Sequence, residues 1–101
     1  MDDGVRIKVF GRKGCDVCRQ VRGKLKVFLN HWGIKDGVVV EYLTIDSISC
    51  LAEAAEADAT QVPVVIIYKN GYEVVRWAGR PIQSIEFKPY FEDLIRLKEG
   101  R

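Results

Sequence analysis

Val5-Arg6-Ile7-Lys8-Val9-Phe10-Gly11-Arg12-Lys13-Gly14-Cys15-Asp16-Val17-Cys18 decides the reading of the chain, because the hydrophobic period changes within it. From Val5 to Phe10 apolar and basic residues alternate and stop at Gly11, the pattern of a strand. Gly11-Arg12-Lys13-Gly14 is a turn. From Asp16 the apolar residues Val17, Val21, Leu25, Phe28, Leu29 and Trp32 recur at three- and four-residue steps, which predicts an amphipathic helix ending near Gly33. Gly23 within that helix costs about 1 kcal/mol relative to alanine, so a packing reason is expected for it.

A strand-to-helix handover explains the cysteine spacing. Cys15 falls at or just before the N-cap, where unpaired helix amides and the positive end of the dipole favour a thiolate. Cys18, three residues on, lies above the same face of the first turn, close enough to complete a disulfide. The chemistry this predicts is attack by Cys15 on a substrate disulfide, a mixed disulfide, and release by attack of Cys18. No metal or organic cofactor is needed for it. Arg12, Lys13, Arg19 and Arg22 are expected to surround the nucleophile with positive potential, stabilising the thiolate and attracting a carboxylate-bearing substrate such as glutathione. Each also reads as an ordinary solvated charge, and Lys13, two residues before Cys15, is the one assigned to binding.

Other readings of the pair stay open. Cys15 and Cys18 could be half of a zinc site, for which Cys50 and His31 are the remaining soft ligands, without paired spacing. Cys15 could instead hold an iron-sulfur cluster shared between two chains, or the pair could be purely structural, the chain then being a redox-inert interaction module. Cys50 reads as a packed or partly exposed bystander, and His31 as a cation near a helix C-terminus.

Beyond the first helix, Val38 to Ile45 is β-branched and largely apolar, as expected of a buried parallel strand. Asp46, Ser47 and Ser49 offer N-caps for a short helix from about Ser49 to Ala57, with Leu51, Ala54 and Ala55 on its inner face. Thr60-Gln61-Val62-Pro63 reads as a loop, with Pro63 at a strand start because it cannot donate a sheet hydrogen bond. Val64 to Tyr68 and Glu73 to Trp77 flank Asn70-Gly71, a strong hairpin signal. Gly79-Arg80-Pro81 ends that pattern. A last helix carries Phe87, Phe91, Leu94, Ile95 and Lys98 on one face, its regular part starting near Lys88 because of Pro89. Trp32, Trp77, Tyr68 and Tyr72 read as packing residues.

The predicted order is β-α-β-α-β-β-α, an α/β fold with a four-stranded mixed sheet and helices on both faces. With 101 residues there is room for a single domain, and 48% hydrophobic with 30% charged residues excludes a disordered chain. Three cysteines, an odd number, do not suit a secreted disulfide framework and point to a reducing, cytoplasmic compartment. The acidic start Met1-Asp2-Asp3-Gly4 does not resemble a signal peptide. The run Val62 to Tyr68 is too short to cross a membrane, so a soluble protein is expected; a monomer is the default, with no membrane or nucleic-acid partner expected. Net charge is only +2, yet residues 5–26 hold eight Lys or Arg against Asp16 alone, whereas residues 36–60 hold six Asp or Glu and no Lys or Arg. The cysteine pair lies on the positive side.

At these residues the chain resembles the glutaredoxin and thioredoxin superfamily across nearly its whole length. Val9 to Cys18 is similar to the strand, turn and active site of small glutaredoxins, and Pro63 to Gly71 resembles the corresponding hairpin of thioredoxins. The resemblance implies a minimal thioredoxin fold, Cys15 as attacking and Cys18 as resolving thiol, and Pro63 as a cis-proline against the active site. It further implies that the Val62 backbone pairs with the bound substrate and that Gly79 is the glycine after the last strand. Disulfide-bearing proteins would be the substrates, with glutathione or a thioredoxin reductase as electron donor. Several positions depart from the family pattern. Gln61 stands where glutaredoxins have Thr, Ala78-Gly79 replaces their Gly-Gly pair, Asp16-Val17 is neither Pro-Tyr nor Gly-Pro, and no Trp precedes Cys15.

Overall fold

Strand β1 (Val5–Gly11) lies in the middle of a four-stranded sheet whose order is β2-β1-β3-β4, with β2 (Val38–Thr44), β3 (Val64–Lys69) and β4 (Tyr72–Ala78). This is a computed structural model, and it describes residues 4–59, 61–80 and 82–99. Thr60 and Pro81, read above as loop residues, lie outside the described residues, as do Met1-Asp2-Asp3 and the side chain of Lys98. β1 pairs with β2 in parallel, Val5 opposite Val38 and Gly11 opposite Thr44, and with β3 antiparallel, Phe10 opposite Val64. The parallel pair requires a crossover, which helix α1 (Asp16–Trp32) supplies. β3 and β4 form the expected hairpin: Asn70 and Gly71 both have positive φ, 54° and 85°, as a two-residue turn matched to strand twist demands.

The two faces of the sheet carry separate cores. On one, Ile7 and Val9 of β1 and Val65 and Ile67 of β3 meet Val21, Leu25 and Leu29 of α1 and the C-terminal Phe87, Phe91 and Ile95. On the other, Phe10, Val64 and Ile66 meet Ala54 of helix α2 (Ile48–Glu56) and Ala59. The continuous run Val64 to Ile67 is apolar because β3 is covered on both faces. Helix α1 ends as its sequence indicates, at Gly33 in the left-handed region with φ 69°, whose N–H bonds back to Asn30 and Leu29.

Several expectations are corrected. β2 is an edge strand, and Val39 is 51% exposed, because only β1 flanks it and its three valines alternate between faces. The inward stripe of α2 is Cys50, Glu53, Ala54 and Ala57 rather than Leu51, Ala54 and Ala55, and Leu51 is 52% exposed. Glu53 turns inward to meet Lys8 of β1 at 3.0 Å, on the stripe that also carries the buried Ala54. The last helical stretch is broken: α3 (Ser84–Phe87) passes into a 3-10 turn (Lys88–Phe91) and then α4 (Glu92–Glu99), because Pro89 has no N–H to continue the α ladder. A Cβ added at Gly23 meets nothing within 4 Å, so this exposed glycine has no packing role. Tyr72 is exposed too, whereas Trp77 is buried and Trp32 stacks between Phe28 and Phe87. Among the described residues, no helix is long and apolar enough to cross a membrane.

Candidate active site

Cys15 is the N-cap of α1, in extended backbone conformation, and its Sγ accepts a 3.1 Å hydrogen bond from the N–H of Cys18. That places sulfur where a capping oxygen normally sits and leaves it facing helix amides that favour negative charge. Cys15 and Cys18 are joined as a disulfide, with their Cα atoms 5.2 Å apart. Cys15 is half-buried and Cys18 buried, so the reachable sulfur is the one at the helix start. Asp16, directly after Cys15, does not face the sulfur unopposed, because Arg19 pairs with it at 2.6 Å.

Two contacts that the sequence reading missed hold this turn in place. A Cβ on Gly11 would lie 3.2 Å from Cys18 Cβ and 3.4 Å from its Sγ, so the missing side chain lets α1 seat Cys18 against the end of β1. Asp46, read as a possible helix cap, instead accepts the backbone N–H of Lys13 at 2.7 Å and the Thr44 hydroxyl at 2.8 Å. The Lys13 N–H, then the Thr44 hydroxyl, hold its carboxyl below the usual range, with the Lys13 and Arg12 charges adding to them. Ser47 occupies the N-cap of α2 without a side-chain capping bond. Glycine closing a strand and aspartate after the next strand are common patterns, and only the fold brings both to the cysteine turn.

The four cations predicted around the pair divide. Arg19 is engaged with Asp16, whereas Arg12, Lys13 and Arg22 line a cavity of about 310 Å³ beside Cys18, together with Tyr42 and Thr44. The Arg22 guanidinium stands 4.6 Å from the centre of the Tyr42 ring. Burial pushes the Tyr42 phenol up, partly offset by Arg22.

Val62, Pro63 and Gly79 come together at the same end of the sheet. Phe10 opposite Val64 sets Pro63 next to the Gly11 turn, and Val64 opposite Ala78 sets Gly79 next to Pro63. The Val62-Pro63 peptide is cis, Pro63 is buried, and the Gly79 N–H donates to the Pro63 carbonyl at 2.8 Å. Gly79 has φ 74°, and the Gln61 side chain comes 3.7 Å from where its Cβ would be. The family resemblance had marked Gln61 only as a departure.

Cys50 is a free, half-buried thiol on α2, and His31 is exposed in the last turn of α1. Neither joins the pair: among the described residues no three His, Cys, Asp or Glu side chains gather closely enough to hold a metal ion.

No protein-family model and no curated protein matches the chain. Solved structures do. Thioredoxin O2 from Arabidopsis thaliana, in its oxidized state, superposes with a TM-score of 0.73 at 17% identity, over 92% of this chain and 76% of that one. Thioredoxin 1 from the thermophilic eubacterium Thermosipho africanus gives 0.69 at 21% identity, over 93% and 98% of the two chains. Thioredoxin-2 of a malaria parasite gives 0.69 at 20%, over 100% and 86%. With the strand order and the helices on both faces, these likenesses establish that the chain has the thioredoxin fold.

Proposed function

We propose that the protein is a thiol-disulfide oxidoreductase working through Cys15 and Cys18. The observation that carries this reading is the disulfide across the first turn of α1, with the half-exposed sulfur at the N-cap and the buried one behind it. In the reduced protein the Cys15 thiolate attacks a substrate disulfide, whose first sulfur leaves as a thiolate, and a mixed disulfide forms. The Cys18 thiolate then attacks the Cys15 sulfur, expels the second substrate thiolate and restores the pair as a disulfide, so two electrons pass to the substrate.

Lys13, Val62, Pro63 and Gly79 are assigned to substrate binding. The backbone beside Val62 would pair with an extended substrate segment, and Lys13 would meet its negative charge. Disulfide-bearing proteins are the proposed substrates, in a reducing, cytoplasmic setting and with the protein as a monomer. Glutathione or a thioredoxin reductase would return the electrons, without a bound cofactor. Gln61 and Asp16-Val17, which depart from the glutaredoxin pattern, leave both donors to be tried.

The test is turnover of insulin and of a mixed glutathione disulfide by the wild type and by Cys15→Ser, with each donor in turn. Activity in the wild type that Cys15→Ser abolishes supports the reading, and equal activity in both contradicts it.

A further inference from the structure

Resting on the dithiol reading above, one step lacks an obvious agent: Cys18 must lose its proton before it can resolve the mixed disulfide, and it is buried. A desolvated thiol resists ionisation unless a base takes the proton or positive charge stabilises the thiolate. Among the described residues no polar or charged residue is buried as a whole, and the inward-turned Glu53, whose Oε2 is buried, faces Lys8 at 3.0 Å. A cavity opens beside Cys18, lined by Arg12, Lys13, Arg22, Tyr42 and Thr44, and among the described residues no acidic one lines it.

The charged and titratable groups around Cys18 can be taken element by element. On α1, Arg22 lies four residues after Cys18, a helical neighbour of it, and both residues line the cavity. Its guanidinium stands 4.6 Å from the centre of the Tyr42 ring of β2. Also on α1, Asp16 and Arg19 pair with each other. The turn after β1 adds Arg12 and Lys13. The carboxylate of Asp46, after β2, is bound by the Lys13 N–H and the Thr44 hydroxyl, and its lowered pKa makes it a weaker base. From β1, Gly11 abuts Cys18, and the strand's charged Arg6 and Lys8 pair with Glu41 and Glu53.

We propose that Arg22 is a positioning residue for the resolving step: its charge, held by Tyr42 in the wall of the cavity that Cys18 also lines, stabilises the Cys18 thiolate, and the proton leaves through the cavity to water without a protein base. Resolution then depends on positive charge at position 22 rather than on any acceptor side chain.

Stopped-flow reaction of the reduced protein with dithiodipyridine, an uncharged disulfide, separates the steps. Attack by Cys15 releases one thiopyridone and leaves a mixed disulfide. Attack by Cys18 releases the second and closes the Cys15–Cys18 disulfide, so two electrons go to the reagent and the two released thiopyridones carry two protons. A Cys50→Ser background removes the third thiol. Arg22→Gln is expected to slow the second phase about tenfold at neutral pH and to move its pH midpoint up by about one unit, with a smaller effect on the first phase. Arg22→Lys should restore the second phase, and added salt should slow it in the wild type more than in Arg22→Gln. Lys24→Gln, the same charge change elsewhere on α1, should leave the ratio of the phases unchanged.

The inference is overturned if Arg22→Gln slows both phases equally, if the midpoint stays in place, or if Tyr42→Phe or Asp46→Asn slows the second phase more than Arg22→Gln does. Should Arg22→Gln not fold, Arg22→Lys and the salt dependence of the wild type decide. Failure of the dithiol reading looks different: the second equivalent would then be missing from the wild type itself.

Discussion

The carboxylate of Asp46 holds the backbone N–H of Lys13 at 2.7 Å, tying the loop after β2 to the turn that delivers Cys15. The Asp46 carboxyl is depressed mainly by that bond, so the contribution to stability is present above the ordinary aspartate pKa and is lost as pH falls through the lower folded value. Hydrogen exchange of the Lys13 amide should therefore stay protected at neutral pH and open in acid before the sheet does. Asp46→Ala should speed it about tenfold at neutral pH, as expected for the loss of one charge-assisted bond. Exchange unchanged by the substitution would contradict this anchoring.

Gly11 makes room for Cys18. Gly11→Ala would force its Cβ to 3.2 Å from Cys18 Cβ, and overpacking of this kind costs about 1–3 kcal/mol. Denaturant unfolding of the oxidised protein should show that loss. A gain in stability, the usual result of replacing glycine in a strand, would show that the contact can relax freely.

Two glycines of the α1 region should respond with opposite signs. Gly23 sits in open space on the solvent face, so Gly23→Ala should stabilise by about 0.5–1 kcal/mol through helix propensity. Gly33 has φ 69°, where a Cβ is strained, so Gly33→Ala should destabilise by about 1 kcal/mol. Thermal unfolding of both variants against the wild type checks the pair, and shifts of the same sign would refute it.

Phe87 is fully buried, with ring centroids of Phe91 at 4.7 Å, Trp77 at 5.6 Å, Phe28 at 6.0 Å and Trp32 at 6.1 Å. Phe87→Ala should cost about 3–5 kcal/mol, a large share of a small domain's stability. Tryptophan fluorescence during urea unfolding reads it directly, since both tryptophans touch the ring. A loss below about 1 kcal/mol would mean that α3 does not carry the core.

Much of the fold was legible because its signals are local. The i, i+4 stripe Val21, Leu25 and Leu29, the Asn70-Gly71 turn and the Gly33 stop each act within a few residues. What escaped depends on residues distant in the chain. Whether Val38-Val39-Val40 lies at the centre or the edge is decided by which strand β1 takes as its second partner. The inward stripe of α2 includes Glu53, whose partner Lys8 lies on β1, far away in the chain. The cysteine pair is legible from its spacing at a helix start and the Val62, Pro63 and Gly79 group only through the family resemblance, whereas Gly11 and Asp46 serve the site only through a contact with Cys18 and a backbone bond to Lys13. Arg22 was marked for its charge, but its place over Tyr42 came only with the fold.

The pH dependence of Cys15 alkylation in the reduced protein, read residue by residue in a Cys50→Ser background, tests the central claim most directly. A sulfur capped by helix amides and flanked by cations should be ionised well below the roughly 8.5 of a free cysteine, so the rate should reach its plateau by about pH 7. A Cys15 thiol that titrates at or above the free value would contradict the account.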